Sequence, residues 1–240
     1  MYLELSIAIC GSMLAIASIL DIKNREVPDK IWLLSAAAGA IVAALALFSD
    51  GEASDRAASA IHYAIGIAII SPIGYLAYRT GLFGGADPKA LVAIAVIFPD
   101  APAGIFAVHG FPVISILSNA LVVSVAAMLY NVISNSITVA RGISIFEGMD
   151  EGLFRKALAF AVGFPSSSPG QYVFAMEGMD NSGNRKFMFN PASYDDFAQL
   201  DNKTIWVTRA LPFIVYLGIG YAMYMVIGDL FAVFLNLVMP

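Results

Sequence analysis

Charged residues are scarce in this sequence. They make up 13% of the 240 residues, against roughly 25% in an ordinary soluble domain, which excludes a solvated globular surface over most of the chain. Cysteine is nearly absent too. The single Cys10 leaves no disulfide framework and no Cys-based zinc site. Only two histidines occur, His62 and His109, too isolated to suggest a metal centre, so neither a metal nor a cofactor is expected. The amino-terminal segment lacks a basic n-region, so the first apolar run is not read as a cleavable signal peptide. No low-complexity tract or internal repeat stands out. A net charge of −5 gives no support for nucleic-acid binding.

What is present is apolar. Residues of that kind are 59% of the chain, and a bilayer core of ~30 Å needs about 20 of them in a row as helix. Six candidate spans follow: Leu3–Leu20, Ile31–Phe48, Ile61–Tyr78, Pro88–Val108, Phe111–Ile137 and Ala210–Val238. The fourth is interrupted by Pro99, Asp100 and Pro102. With six spans, twelve of the thirteen basic residues fall in loops on one side, and only Arg56 lies opposite. The positive-inside rule makes the basic side cytoplasmic and leaves both termini outside. The expected fold class is an all-α polytopic bundle of six transmembrane helices in a lipid bilayer, with a small cytoplasmic domain containing β-structure. The membrane domain is residues 1–137 plus 209–240, and the insertion is 138–208. Within the insertion, Gln171–Met176 and Arg185–Phe189 read as the arms of a β-hairpin joined by Glu177–Asn184, and Phe164–Gly170 reads as a turn.

Two segments on the basic side carry candidate chemistry. One runs from Leu20 to Lys30 and contains Asp21, Lys23, Arg25, Glu26, Pro28 and Asp29. The other runs from Gly81 to Leu91 and contains Gly84, Gly85, Ala86, Asp87, Pro88 and Lys89. Two complete spans separate Asp21 from Asp87, and an even number of crossings returns both to the same face. Two neighbouring carboxyl groups do not both ionise easily; they share a proton and can act as base and acid on one water molecule. Gly84 and Gly85 would let an extended backbone approach Asp87 and would tolerate unusual dihedral angles. Pro88 suits the first turn of a helix, with Asp87 as its cap. The plainer readings are a helix cap for Asp87 and an interfacial charge for Asp21. Ionisable residues at membrane depth are functional by default.

The two segments together resemble the GxGD membrane aspartyl peptidases, specifically the prepilin and preflagellin peptidase family. Asp21 with Val27-Pro28-Asp29 matches its first motif, an Asp at the end of span one followed by a basic stretch and Ile/Val-Pro-Asn/Asp. Gly84-Gly85-Ala86-Asp87-Pro88-Lys89-Ala90-Leu91 matches its second, Gly-x-Gly-Asp-x-Lys-Leu. Ala86 stands where the family has its second Gly, and Leu91 falls one place late. The resemblance covers about the first hundred residues and implies an aspartic endopeptidase with Asp21 and Asp87 as its catalytic pair. The absence of paired cysteines near the start favours the archaeal preflagellin type, without methyltransferase activity. The implied substrate is a preflagellin- or prepilin-like precursor, cut at the cytoplasmic face between a short basic leader and an apolar helix. Glu26, Asp29, Glu147, Asp150 and Glu151 are candidates for reading that leader, against the simpler reading of solvated loop charges. Lys89 would hold a carboxylate in place or snorkel to the interface. Asp229, late in span six, reads as an outer-boundary residue.

Two rivals remain in view. A signal-peptide-peptidase-like protease places its acids on adjacent spans and carries a Pro-Ala-Leu motif, which Arg209-Ala210-Leu211-Pro212 does not spell. A small proton- or cation-coupled transporter would hold its acids deeper and show a repeat of spans.

Overall fold

The computed structural model describes residues 1–49, 53–102, 105, 110–167, 173–179, 184–189, 204–209 and 212–238. Long apolar helices dominate: α1 (Tyr2–Asn24), α2 (Asp29–Ser49), α3 (Ala53–Arg79), α4 (Asp87–Ile97) and α5 (Pro112–Ala140). A short helix α6 (Leu153–Val162) and, among the described residues, five strands follow, and α7 (Phe213–Ile227) and α8 (Leu230–Val238) come last. Among the described residues, four helices (α1, α2, α3 and α5) are long and apolar enough to cross a bilayer, and α7 with α8 makes a fifth if that bent pair is one span. The chain is a multi-pass membrane protein. Its large apolar side chains face outward as well as inward; Leu33, Leu34, Ile41 and Leu45 on α2 are all exposed, as lipid contact requires.

The chain forms two compact units. The first comprises Met1–Val123 and Pro212–Pro240. Its core is built around α4, whose Ala90, Leu91, Ala93, Ile94 and Ile97 are all buried. Met13, Leu14 and Ala17 of α1, Trp32 of α2, Ile116 and Ala120 of α5, and Leu217 and Tyr224 of α7 close over them. Close approach depends on missing side chains. A Cβ on Gly39 of α2 would lie 2.6 Å from Ile97 Cγ1, so α2 can pack onto α4 only with glycine there. At 11 residues, α4 is about 16 Å long, roughly half the hydrocarbon thickness. The expected fourth span therefore begins at the right place but its helix ends at Ile97. Pro99 and Pro102 follow within five residues and cannot continue it. The remainder of that expectation falls partly on residues 103, 104 and 106–109, outside the described residues.

The expected sixth span is not one straight helix. Its two halves meet at 52°, because Gly228, at φ 90°, ends α7 and Asp229 starts a new helix. Asp229 is wholly buried rather than at an outer boundary. Its Oδ1 accepts the Phe231 N–H at 2.9 Å, and its Oδ2 accepts the Ser115 hydroxyl at 2.9 Å. Asn119 completes the joint by donating to the Gly228 carbonyl at 3.0 Å and accepting the Leu230 N–H at 2.9 Å. The helix ends left open by the break are thus satisfied from α5.

The second unit is Ser124–Leu211. Strands β1 (Phe164–Ser166), β5 (Ile205–Arg209) and β2 (Val173–Ala175) form one antiparallel sheet in that order, and β3 (Glu177–Met179) pairs with β4 (Arg185–Phe187). The expected hairpin is shifted. Arg185–Phe187 pairs with Glu177–Met179, part of the expected connecting loop, while Val173–Ala175 pairs with β5. Burial explains the shift, since Glu177 is buried and both its oxygens accept Arg185 Nη2 at 2.8 Å. Of the expected turn Phe164–Gly170, Phe164–Ser166 is instead strand β1, and residues 168–170 lie outside the described residues. Behind the strands, Phe146 stacks on Trp206, whose indole N–H donates to the Ile145 carbonyl at 2.8 Å.

Candidate active site

Asp21 lies one turn before the end of α1. Val27-Pro28 prevents further helix there, since a residue preceding proline is pushed to extended geometry, and α2 starts afresh at Asp29. The chain reverses at Arg25, which adopts left-handed dihedrals (φ 56°, ψ 17°) while its N–H donates to the Asp21 carbonyl. Asp21 is 9% exposed. Its carboxyl lies near the Arg25 guanidinium and the first turn of α7.

Asp87 arrives from the other direction. After α3 the chain turns through Gly81, at φ 75°, with the Leu82 and Phe83 N–H groups both donating to the Ala77 carbonyl. Gly81 is therefore the glycine whose left-handed geometry the turn requires. Gly84 and Gly85 keep negative φ, and a Cβ on Gly84 would sit at an ordinary 3.5 Å from Asp87 Oδ2. What Gly84 supplies is its N–H, which donates to Asp87 Oδ2 at 2.7 Å. Asp87 is also not the cap of α4. Ala86 holds that position, Asp87 is the first helical residue, and Pro88 follows it as expected.

Asp87 is 8% exposed and precedes the apolar run that starts at Pro88. Its carboxyl is pushed up to about 6, chiefly by burial; the Gly84 N–H opposes this and the negative charge of Asp21 adds to it. The field of one carboxylate therefore reaches the other.

Lys89 does not hold either acid. Its Nζ meets Asp29 Oδ1 at 2.6 Å, joining the first turn of α4 to the first turn of α2. The remaining sequence-derived acids scatter. Glu26, like Asp29, belongs to the first unit and is exposed. Glu147 and Asp150 are exposed in the second unit. Glu151 is occupied within that unit, accepting the Phe187 N–H at 2.8 Å and pairing with Arg155 at 2.9 Å. Arg25 and the α7 start were not singled out by sequence. The single hint was a bulky residue where a helix terminator is usually glycine. A cavity of about 660 Å³ is lined by Tyr2, Ala43, Arg56, Tyr63 and Asp100. Tyr2 and Asp21 occupy opposite ends of α1, roughly 29 Å apart by helical rise, so that cavity lies away from Asp21.

The sequence pattern of the type IV leader peptidase family matches residues 8–134, a little over half the chain and inclusive of both acid-bearing segments. Three curated relatives are similar over nearly their whole length. The preflagellin peptidase of Methanocaldococcus jannaschii is 25% identical over 219 residues, covering 90% of this chain and 91% of the relative. Those of Methanococcus voltae and Methanococcus maripaludis are each 26% identical, covering 90% of this chain and 92% of theirs. With a matching pattern over both segments and relatives spanning the rest, this chain belongs to the type IV leader peptidase family.

Proposed function

We propose that this chain is an aspartyl endopeptidase of the GxGD type that removes the basic leader from preflagellin- or prepilin-like precursors at the cytoplasmic face, with Asp21 and Asp87 as the catalytic pair. The observation that carries the reading is that the acids of both motif segments are buried and that the charge of Asp21 reaches Asp87. The relatives named preflagellin peptidase supply the substrate class. In the reaction, one carboxylate takes a proton from water as its oxygen attacks the scissile carbonyl carbon. The other carboxyl, protonated, donates a hydrogen bond to the carbonyl oxygen. Collapse of the tetrahedral intermediate breaks the C–N bond, and the leaving amine takes up a proton from the pair. The six-span topology, with span four over 88–108, termini outside and residues 138–208 cytoplasmic, belongs to this reading and is supported by the distribution of basic residues.

The test is the mobility shift of a preflagellin-like precursor mixed with membranes carrying the wild type, Asp21→Asn or Asp87→Asn. Conversion by wild type alone is the expected result. Near-normal cleavage by either variant sinks the pair.

The Asp29–Lys89 bridge ties together the two loops that carry the acids. Exposed pairs of this kind add only about 0–1 kcal/mol to stability, so its loss should be felt as misplacement. Each reversal, Asp29→Lys or Lys89→Asp, is expected to slow cleavage about tenfold, and the double reversal to recover most of it by restored coupling. Additive losses in the double variant would show that the bridge does not align the loops.

A further inference from the structure

The apolar side of α6 points the wrong way for a helix surrounded by water. Leu153, Phe154, Ala157 and Leu158 are all exposed, Leu153 and Phe154 to 88% and 80%. Their spacing of i, i+1, i+4 and i+5 puts them on one face. The charges lie on the other side. Arg155 pairs with Glu151 at 2.9 Å and lies over the Phe189 ring at 5.2 Å, and Lys156 lies over the Phe146 ring at 5.8 Å. Ala159, also on that side, is wholly buried. The end of α6 is fixed to α5. Because the helix stops at Val162, the carbonyls of Phe160, Ala161 and Val162 lack intrahelical donors. Asn135 donates to the Phe160 and Gly163 carbonyls at 2.9 and 2.8 Å, Asn131 to Ala161 at 3.3 Å, and Thr208 to Val162 at 2.9 Å. Carbonyls at a helix end point along its axis, so the two asparagines set α6 end-on against α5, running across it rather than beside it. The depth of this joint follows from α5 itself. Asn131 and Asn135 stand roughly 29 and 35 Å from Pro112 by helical rise. At the usual tilt of about 20° that is ~27 and ~32 Å of depth, where a hydrocarbon core of ~30 Å ends. Tyr130, one residue earlier, has the Arg209 guanidinium 5.8 Å from its ring centre, and the Phe164 ring lies 4.5 Å from the same guanidinium. Aromatic rings and basic side chains anchor a membrane protein at the headgroup level.

We propose that α6 is an interfacial helix that lies in the plane of the membrane and sinks Leu153, Phe154, Ala157 and Leu158 into the boundary between headgroups and acyl chains. The occupant of its exposed face is lipid. A helix that runs across a membrane-crossing helix runs along the membrane surface, and at headgroup depth an outward apolar face is stable. With 10 residues, α6 is too short to span the bilayer itself. The patch continues the lipid-facing surface of the same unit, where Val125, Met128, Leu129 and Ile133 of α5 are exposed as well. In water, so many neighbouring apolar side chains would be an aggregation liability. The inference concerns the second unit alone and is independent of Asp21 and Asp87.

The experiment uses the full-length protein with Cys10→Ala, which removes its one thiol. Phe154→Cys and Leu158→Cys place a reporter on α6, and Glu147→Cys places one at an exposed polar position of the same unit. Each variant is labelled with a small fluorophore and reconstituted into phosphatidylcholine–phosphatidylglycerol vesicles. Quenching is then read from a nitroxide on the lipid acyl chain, close to the headgroup, and from iodide in the water. The α6 labels should be quenched about threefold more strongly by the nitroxide than the Glu147→Cys label, with iodide giving the reverse order. Iodide quenching of the α6 labels equal to that of the control, without quenching by the nitroxide, would mean a face open to water and overturns the inference. Shielding of the α6 labels from both quenchers would mean that protein covers the face, a second copy or another segment, and overturns it equally. The α6 positions are on the surface, so the substitutions leave the core intact, and Leu153→Cys supplies a further reporter if either variant fails to fold.

Discussion

Asp87→Asn is expected to lose leader cleavage by about 10³-fold or more and, in the same protein, to melt at a higher temperature than wild type at pH 7.5. The first effect follows from the proposed chemistry, because an amide cannot supply the proton that a carboxylic acid donates to the carbonyl oxygen. The second follows from the site's electrostatics. Burial raises Asp87 from an ordinary 3.8 to about 6, so between those values the folded state binds more protons than the unfolded one. Stability must then fall as pH rises through that window, and the full cost persists above it. Asparagine carries no charge to desolvate, and its side-chain oxygen can still accept the Gly84 N–H. The variant and wild type should therefore converge near pH 4 and separate above pH 6. Thermal scans of detergent-solubilised protein at pH 4.5 and 7.5 check this. Identical melting at pH 7.5 would mean that the folded state bears no cost for ionised Asp87.

Gly220→Val should give the largest loss of folded protein of any single change in the helical core. A Cβ on Gly220 of α7 would lie 2.6 Å from the Ile116 carbonyl oxygen and 2.7 Å from the Ala120 nitrogen of α5. These are backbone atoms, which cannot swing aside as a side-chain tip can, so α7 and α5 must separate along their contact. Overpacking alone costs about 1–3 kcal/mol. Separation would also disturb Asn119, which donates to the carbonyls of Gly220 and Gly228. The Ala variant should already be destabilised, with Val worse. Gly152→Ala, where a Cβ meets nothing within 4 Å and φ is negative, is the control and should be close to neutral. The fraction of protein remaining soluble after heating in detergent ranks the three. A Gly220→Val protein as stable as the control would mean that the α5–α7 crossing is not set by that glycine.

The spans over α1, α2, α3 and α5 were legible because hydropathy is additive along the chain; each expected stretch lies within its observed helix, save for Phe111, one residue before α5. The last apolar stretch was read as one span, although Gly228 followed by Asp229 is a stop and a start written side by side. Length and apolarity hid it, because a broken helix in lipid needs partners for its free ends, and Ser115 and Asn119 lie more than a hundred residues away in sequence. The shifted hairpin has a similar cause. Glu177 looked like loop because a lone carboxylate does not enter a core, and only its pairing with Arg185 allows it to do so.

At the site, the order of residues by itself singled out Asp21 and Asp87 as the proposed pair, through two short motifs separated by two apolar helices. It also determined where α1 and α4 must stop or start, through Pro28 and Pro88, since proline's constraints act on immediate neighbours. Only the tertiary structure decided how each acid is treated. The first turn of α7, near Asp21, comes from the last apolar stretch, Lys89 closes on Asp29 across sixty residues, and Asp87 is buried although it opens a helix. Field and desolvation depend on distance in space, which no local pattern encodes.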